Sequence, residues 1–196
     1  KDLPKFLPTQ SAFMLDWEHR FQAYGGGLGN GKTSSGVGKA FYLSTAFPRN
    51  RGYIGRWDGK ELTQTTMSEF FNAVPASMFE THNKSMGYLK FKRAYGGSEI
   101  YYGDFKEARG LKNIDLGWFC VDQAEEIDDE RWNLLVSRLR KQTVMYGPNN
   151  QPLRRADGSV IIAPTYGIAT FNPEGTASYL YRFFHPDSPE KAAGYK

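Results

Sequence analysis

A chain of 196 residues in which 40% are hydrophobic and 15% aromatic carries enough apolar material for one α/β core and too much for a disordered tract. Its 25 basic against 21 acidic residues leave a net charge of +4, which suits a nucleic-acid partner without requiring one. No apolar run nears the roughly 18 residues that cross a bilayer, no leader opens the chain, and the lone Cys120, in an apolar run, excludes an internal disulfide and points to a buried thiol in a reducing compartment.

Pro4 and Pro8 mark a lead-in without periodicity, after which residues 11–19 are expected to form a short helix. Residues 21–24 read as a strand that runs into Gly25-Gly26-Gly27-Leu28-Gly29-Asn30-Gly31. Residues 32–47, closed by Pro48, read as a helix despite Gly36 and Gly38. A second strand is expected at 53–56, and residues 61–73 space Leu62, Met67, Phe70 and Phe71 as an amphipathic helix does. Residues 88–102 alternate about a Tyr95-Gly96-Gly97-Ser98 turn, the pattern of a hairpin. Residues 116–121 form a near-continuous apolar run ending in Asp122, the mark of a strand buried on both faces of a parallel sheet. Asp128 and Asp129 cap a predicted helix to about Lys141 with Trp132, Leu135 and Leu139 on one stripe. Residues 146–155 are a loop, 168–171 a last strand and 177–184 a last helix. The expected fold is a three-layer α/β arrangement with a mostly parallel central sheet flanked by helices, built as a single domain over 1–196.

Gly26 to Thr33 reads Gly-Gly-Leu-Gly-Asn-Gly-Lys-Thr, a full match to the phosphate-loop (P-loop) pattern of Gly, four residues, Gly, Lys and Ser or Thr. The glycines let successive N–H groups curl round phosphate oxygens at the positive end of a helix. In that reading Gly26, Gly27, Leu28, Gly29, Asn30, Gly31 and Ser34 cradle a nucleotide. Lys32 gives a point charge to the phosphates and Thr33 a hydroxyl to Mg²⁺. The match lies between a strand and a helix, which is the context the chemistry needs.

A P-loop also needs a carboxylate opposite it, and Asp122 at the end of a buried strand meets that need. Hydrolysis usually wants a second carboxylate beside it to polarise the attacking water, yet the next residue is Gln123. Three readings fit. Gln123 orients the water, or Glu125 or Glu126 swings in as base, or the glutamine replaces a glutamate to block turnover. Glu126 is favoured over Glu125, because in a helical turn a residue four beyond Asp122 returns to its face.

Further stretches resemble the large terminase subunit of tailed double-stranded DNA bacteriophages. They are Gly103-Asp104-Phe105 through Arg109-Gly110-Leu111-Lys112, Trp118 to Ile127 with Asp122 and Gln123, Arg138-Leu139-Arg140, and Gly167-Ile168-Ala169-Thr170-Phe171-Asn172-Pro173 followed by Tyr179 to Phe184. Gln10 stands where that family carries an adenine-reading glutamine. The likeness spans about residues 10–184 and implies the N-terminal ATPase domain of such a subunit, with ATP and Mg²⁺ as ligands. It also implies a motor that drives double-stranded DNA into a capsid. By the same likeness Thr170 or Asn172 senses the terminal phosphate and couples hydrolysis to movement. Partners would be DNA gripped by its phosphate backbone, a portal protein, a small terminase subunit and further copies in a ring, in the host cytoplasm and with no membrane. A ring calls for an arginine offered to a neighbour's nucleotide, for which Arg109 is the candidate, with Arg56 as one acting within the subunit. Nothing after Phe184 is long enough for the family's nuclease domain, so no DNA cleavage is expected from this stretch. A helicase core or a non-hydrolysing nucleotide switch are the competing readings.

His19, His82 and His185 lack metal-ligand spacing. Lys90, Lys92 and Arg93 on the hairpin are further candidates for DNA contact.

Overall fold

The computed structural model describes residues 6–27, 29–106, 111–191 and 194–196, the side chain of Lys112 excepted. In chain order the elements are α1 (Pro8–Met14), β1 (Phe21–Gly25), α2 (Lys32–Ala46), β2 (Arg51–Arg56), α3 (Gly59–Glu61), a π-turn (Leu62–Thr66), α4 (Met67–Ala73), β3 (Phe79–Asn83), β4 (Tyr88–Phe91), β5 (Glu99–Asp104), β6 (Trp118–Asp122), α5 (Asp129–Arg138), β7 (Tyr166–Phe171) and α6 (Tyr179–Phe184). The strands form one sheet in the order β1-β7-β6-β2-β5-β4-β3, parallel from β1 to β5 and antiparallel at β4 and β3. This is the expected α/β fold.

Period-two alternation along β6 explains its central place. Trp118 and Cys120 enter one core with Val37, Leu43, Ile54 and Phe70, while Phe119 and Val121 enter the other with Trp132, Leu135 and Leu180. A strand apolar on both faces can only lie between two layers of helices. Gly52 on the adjoining β2 lies against the Trp118 indole, where a Cβ would meet the ring at 2.0 Å. The Cys120 thiol is buried there, as expected, and burial pushes its pKa up.

Several boundaries differ from the sequence reading. The first helix covers Pro8–Met14, because Pro8 sits at its first turn, where a missing N–H costs nothing. The segment expected as one helix over 61–73 is interrupted by the π-turn. The Asp128-capped helix ends at Arg138. Strand β3 was not anticipated and pairs with the hairpin strand β4 through a register shift between Phe79 and Thr81. Residues 194–196 lie along β1: Phe21 N donates to Gly194 O at 2.9 Å and Ala23 N to Lys196 O at 2.7 Å.

Candidate nucleotide site

The glycine-rich loop leaves the end of β1 and re-enters helix at Lys32. Gly31 caps α2 with φ +67°, a left-handed conformation that a side chain strains to adopt, and a Cβ there would stand 2.1 Å from Gln10 Nε2. Gln10 is buried and uses both ends of its amide. Its Oε1 accepts from Leu7 N at 2.7 Å and its Nε2 donates to Gly31 O at 3.2 Å, so it braces α1 against the loop. Gly29 is also left-handed, at φ +78°. A Cβ on Gly26 would come within 3.1 Å of Asn30 Nδ2 and one on Gly27 within 4.0 Å. Leu28 lies outside the described residues. The Lys32 ammonium folds back over the loop and donates to Gly26 O at 2.7 Å and Gly27 O at 2.8 Å. The Ser34 hydroxyl bonds the Glu69 carboxylate of α4.

Asp122 ends β6 and is buried. Thr33, 89 residues away in sequence, donates to its carboxylate at 3.2 Å and 3.3 Å. Thr170 of β7 donates at 2.5 Å, which the parallel register of Asp122 with Thr170 explains. A third donor, Thr66, approaches at 2.6 Å from the π-turn. Sequence reasoning missed Thr66, although paired threonines inside an apolar helical pattern were a visible anomaly. The π-turn lets both be used, for Thr65 Oγ1 accepts from Arg56 Nη1 at 3.0 Å while Thr66 faces Asp122.

After β6 the chain makes a 3₁₀ turn over Ala124–Glu126 rather than a turn of α-helix, so Glu126 does not come back to the face of Asp122. It meets Arg56 through two contacts of 3.3 Å, Nε to Oε2 and Nη2 to Oε1. Arg56 also pairs with Glu61. Burial raises the Glu126 pKa, with the Arg56 cation opposing. Glu125 accepts from Asn172 Nδ2 at 2.5 Å, joining the turn after β6 to the end of β7. Gln123 is held at φ +51° and its Oε1 is buried without a hydrogen-bond partner among the described residues. Arg109 lies outside the described residues.

Lys32, Thr33, Arg56, Asp122, Gln123 and Asn172 line one cleft of about 380 Å³, together with Gly29, Asn30, Gly31 and Ser34. Gln10, Glu125 and Glu126 do not line it, and each bonds a residue that does. The donors fit a hard divalent cation, since a threonine hydroxyl beside a buried carboxylate offers oxygen ligands only. The fit with a polyphosphate is electrostatic: the positive end of α2 and Lys32, whose ammonium rests on Gly26 O and Gly27 O, border the same cleft. Among the described residues no cluster of three His, Cys, Asp or Glu side chains could hold a metal by itself. His19 and His82 instead bond Asp16 and Tyr102, and His185 stacks on Tyr181.

An open, mostly parallel sheet, a glycine loop between β1 and α2, and a carboxylate two strands away at the end of β6 define the P-loop NTPase fold. Solved structures it resembles include phage large terminases and the ATPase domain of one. The large terminase ATPase domain of Thermus phage P74-26 matches with a TM-score of 0.65 at 15% identity, over 98% of this chain and 79% of that one. The large terminase of a thermophilic bacteriophage, in complex with ATP-γ-S, matches with a TM-score of 0.68 at 13% identity, over 90% of this chain and 40% of that one. The chain thus spans about 40% of the length of that ATP-γ-S-bound protein. The HK97 bacteriophage large terminase gives 0.66 at 11%, over 90% and 35%. No protein-family model and no curated protein matches its sequence. At these identities the likeness is one of fold.

Proposed function

We propose that the chain is the ATP-hydrolysing motor domain of a viral large terminase, coupling hydrolysis to translocation of double-stranded DNA into a capsid. The observation that supports this most is the meeting of Thr33 with Asp122, which brings the end of the glycine loop to a buried acid. In this reading the loop amides from Gly26 to Ser34 and the Lys32 ammonium bind the phosphates. Thr33 and Asp122 would hold Mg²⁺, which would offset the charge of the phosphates. Gln123, lining the cleft, orients the attacking water. Glu126, which lies outside the cleft, takes its proton by swinging in when Arg56 turns from that carboxylate to the phosphates, and burial has already raised its basicity. Asn172, which lines the cleft, or Thr170, which bonds Asp122, reads the terminal phosphate, and the Asn172–Glu125 bond carries that state to the turn after β6. Gln10 acts through its brace on Gly31, and reads the adenine only by giving up its bond to Leu7 N or to Gly31 O.

The fold likeness to phage large terminases also supports the remaining assignments. These are a single ATPase domain over 1–196, DNA held by its backbone, a portal protein and small subunit as partners, a ring of like copies with Arg109 reaching a neighbour, and a place in the host cytoplasm. Phosphate release from ATP, measured with Lys32→Ala and Asp122→Asn beside the unaltered chain, is the test. Turnover abolished by either substitution is expected. The second reading, a nucleotide switch without hydrolysis, rests on Gln123 standing where a carboxylate would serve better. Intact ATP binding with no turnover in the unaltered chain decides for it.

A further inference from the structure

The far end of α2 opens on a second cleft, of about 500 Å³, about 22 Å down the helix from the glycine loop. Thr45, Arg49, Arg93, Tyr95, Tyr146 and Asn150 line it, and among the described residues no acidic one does. Its two loops are tied together, with Arg49 N donating to Gly96 O at 2.9 Å. Arg93 is exposed and its side chain has no hydrogen-bond or ion-pair partner among the described residues. Arg49 is exposed as well. Its guanidinium carbon lies 4.4 Å over the Tyr146 ring, and its backbone is held at φ +62°, which strains any residue but glycine. Arg51, two residues further on, is by contrast neutralised by Glu99 at 2.8 Å. The two unpaired cations are tolerated here because α2, which has no basic residue in its last turn, brings its negative end to the same place.

An exposed pair of guanidinia without acid partners among the described residues, one stacked on tyrosine and fixed by a strained backbone, has the chemistry of a phosphate clamp. We propose that this cleft grips the phosphate backbone of duplex DNA, at the end of α2 opposite the nucleotide. The inference rests on the DNA-motor reading and says where the DNA is held. Free phosphate esters share the chemistry, so ATP is the control ligand.

The test measures binding of a labelled duplex of mixed sequence between about 50 and 200 mM salt, where each phosphate contact contributes a slope of about 0.9 in log K against log salt. Arg49→Ala and Arg93→Ala should each flatten that slope by about 0.9, and the double variant by about twice that, with ATP binding unchanged. Arg49→Lys with Arg93→Lys should keep the slope, because the charges remain. A double alanine variant that binds duplex with the original affinity and slope overturns the inference. So does equal loss of ATP and DNA binding, or a lysine pair as weak as the alanine pair. If the unaltered chain binds no duplex at all, the motor reading falls too, which separates the two failures.

Discussion

Thr66 Oγ1 donates to Asp122 Oδ2 at 2.6 Å, so the helical segment after β2 is joined to the end of β6 at the acid that faces the glycine loop. Replacing Thr66 by valine keeps the shape and removes a bond to a charged, buried acceptor, worth about 1.5–3 kcal/mol. Thr66→Val should raise the Mg²⁺ concentration for half-maximal ATP hydrolysis several-fold and lower the melting temperature. Thr66→Ser should restore both. A Mg²⁺ titration unchanged by valine would show that Asp122 is positioned without Thr66.

Gln123 and Glu126 divide the handling of water between them in the proposed mechanism, and the division can be measured. Gln123→Glu puts a proton acceptor at the lip of the cleft and should raise kcat, on the order of tenfold. Glu126→Gln should lower kcat by roughly a hundredfold while ATP binding persists. If Gln123→Glu raises turnover and Glu126→Gln leaves it alone, the base is not Glu126.

Gly31 and Gln10 should prove coupled. Gly31→Ala places a methyl group in a left-handed backbone and against Gln10 Nε2, costing about 1–2 kcal/mol for the backbone alone and more for the clash. Gln10→Ala removes the clash but not the backbone strain, so the double variant should be more stable than the sum of the single losses implies. Additive losses in urea unfolding would mean the two do not touch.

Lys39 sits fully buried beneath α1, donating to Met14 O at 3.0 Å and lying 4.4 Å over the Trp17 ring. Burial pushes its pKa down to about 8, with Asp16 opposing. The unfolded lysine keeps its proton to about 10.4, so between these values the unfolded chain binds more protons and stability from this group rises with pH. The stability difference between the unaltered chain and Lys39→Met should therefore shift by up to about 3 kcal/mol in favour of the lysine from pH 8 to pH 10.5. A difference that stays flat over that window would place the Lys39 pKa near its ordinary value.

Much of this was legible before any coordinates. The glycine loop announces itself because phosphate binding fixes residue types at fixed spacing, and β6 because a strand buried on both faces has no room for polar residues. The Thr65-Thr66 pair stands in the sequence as an anomaly, but its use was hidden, since helical periodicity assumes an α-helix and a π-turn is a backbone event that leaves no spacing of its own. Strand β3 was hidden for another reason. It is an edge strand whose Glu80, Thr81, His82 and Asn83 show no alternation, and its pairing with β4 supplies what its sequence does not. The 3₁₀ turn after Asp122 displaced Glu126 toward Arg56, a change of a single hydrogen-bond step that residue spacing does not record.

Residues 194–196 seal one flank of the sheet by bonding to β1. A foreign chain cannot zip onto that flank without first prising them away, which leaves β3 as the open border. There a register shift and the Glu80–Lys90 ion pair guard against adhesion. Both flanks therefore resist backbone pairing, and crowding many copies together need not stitch them into a fibre.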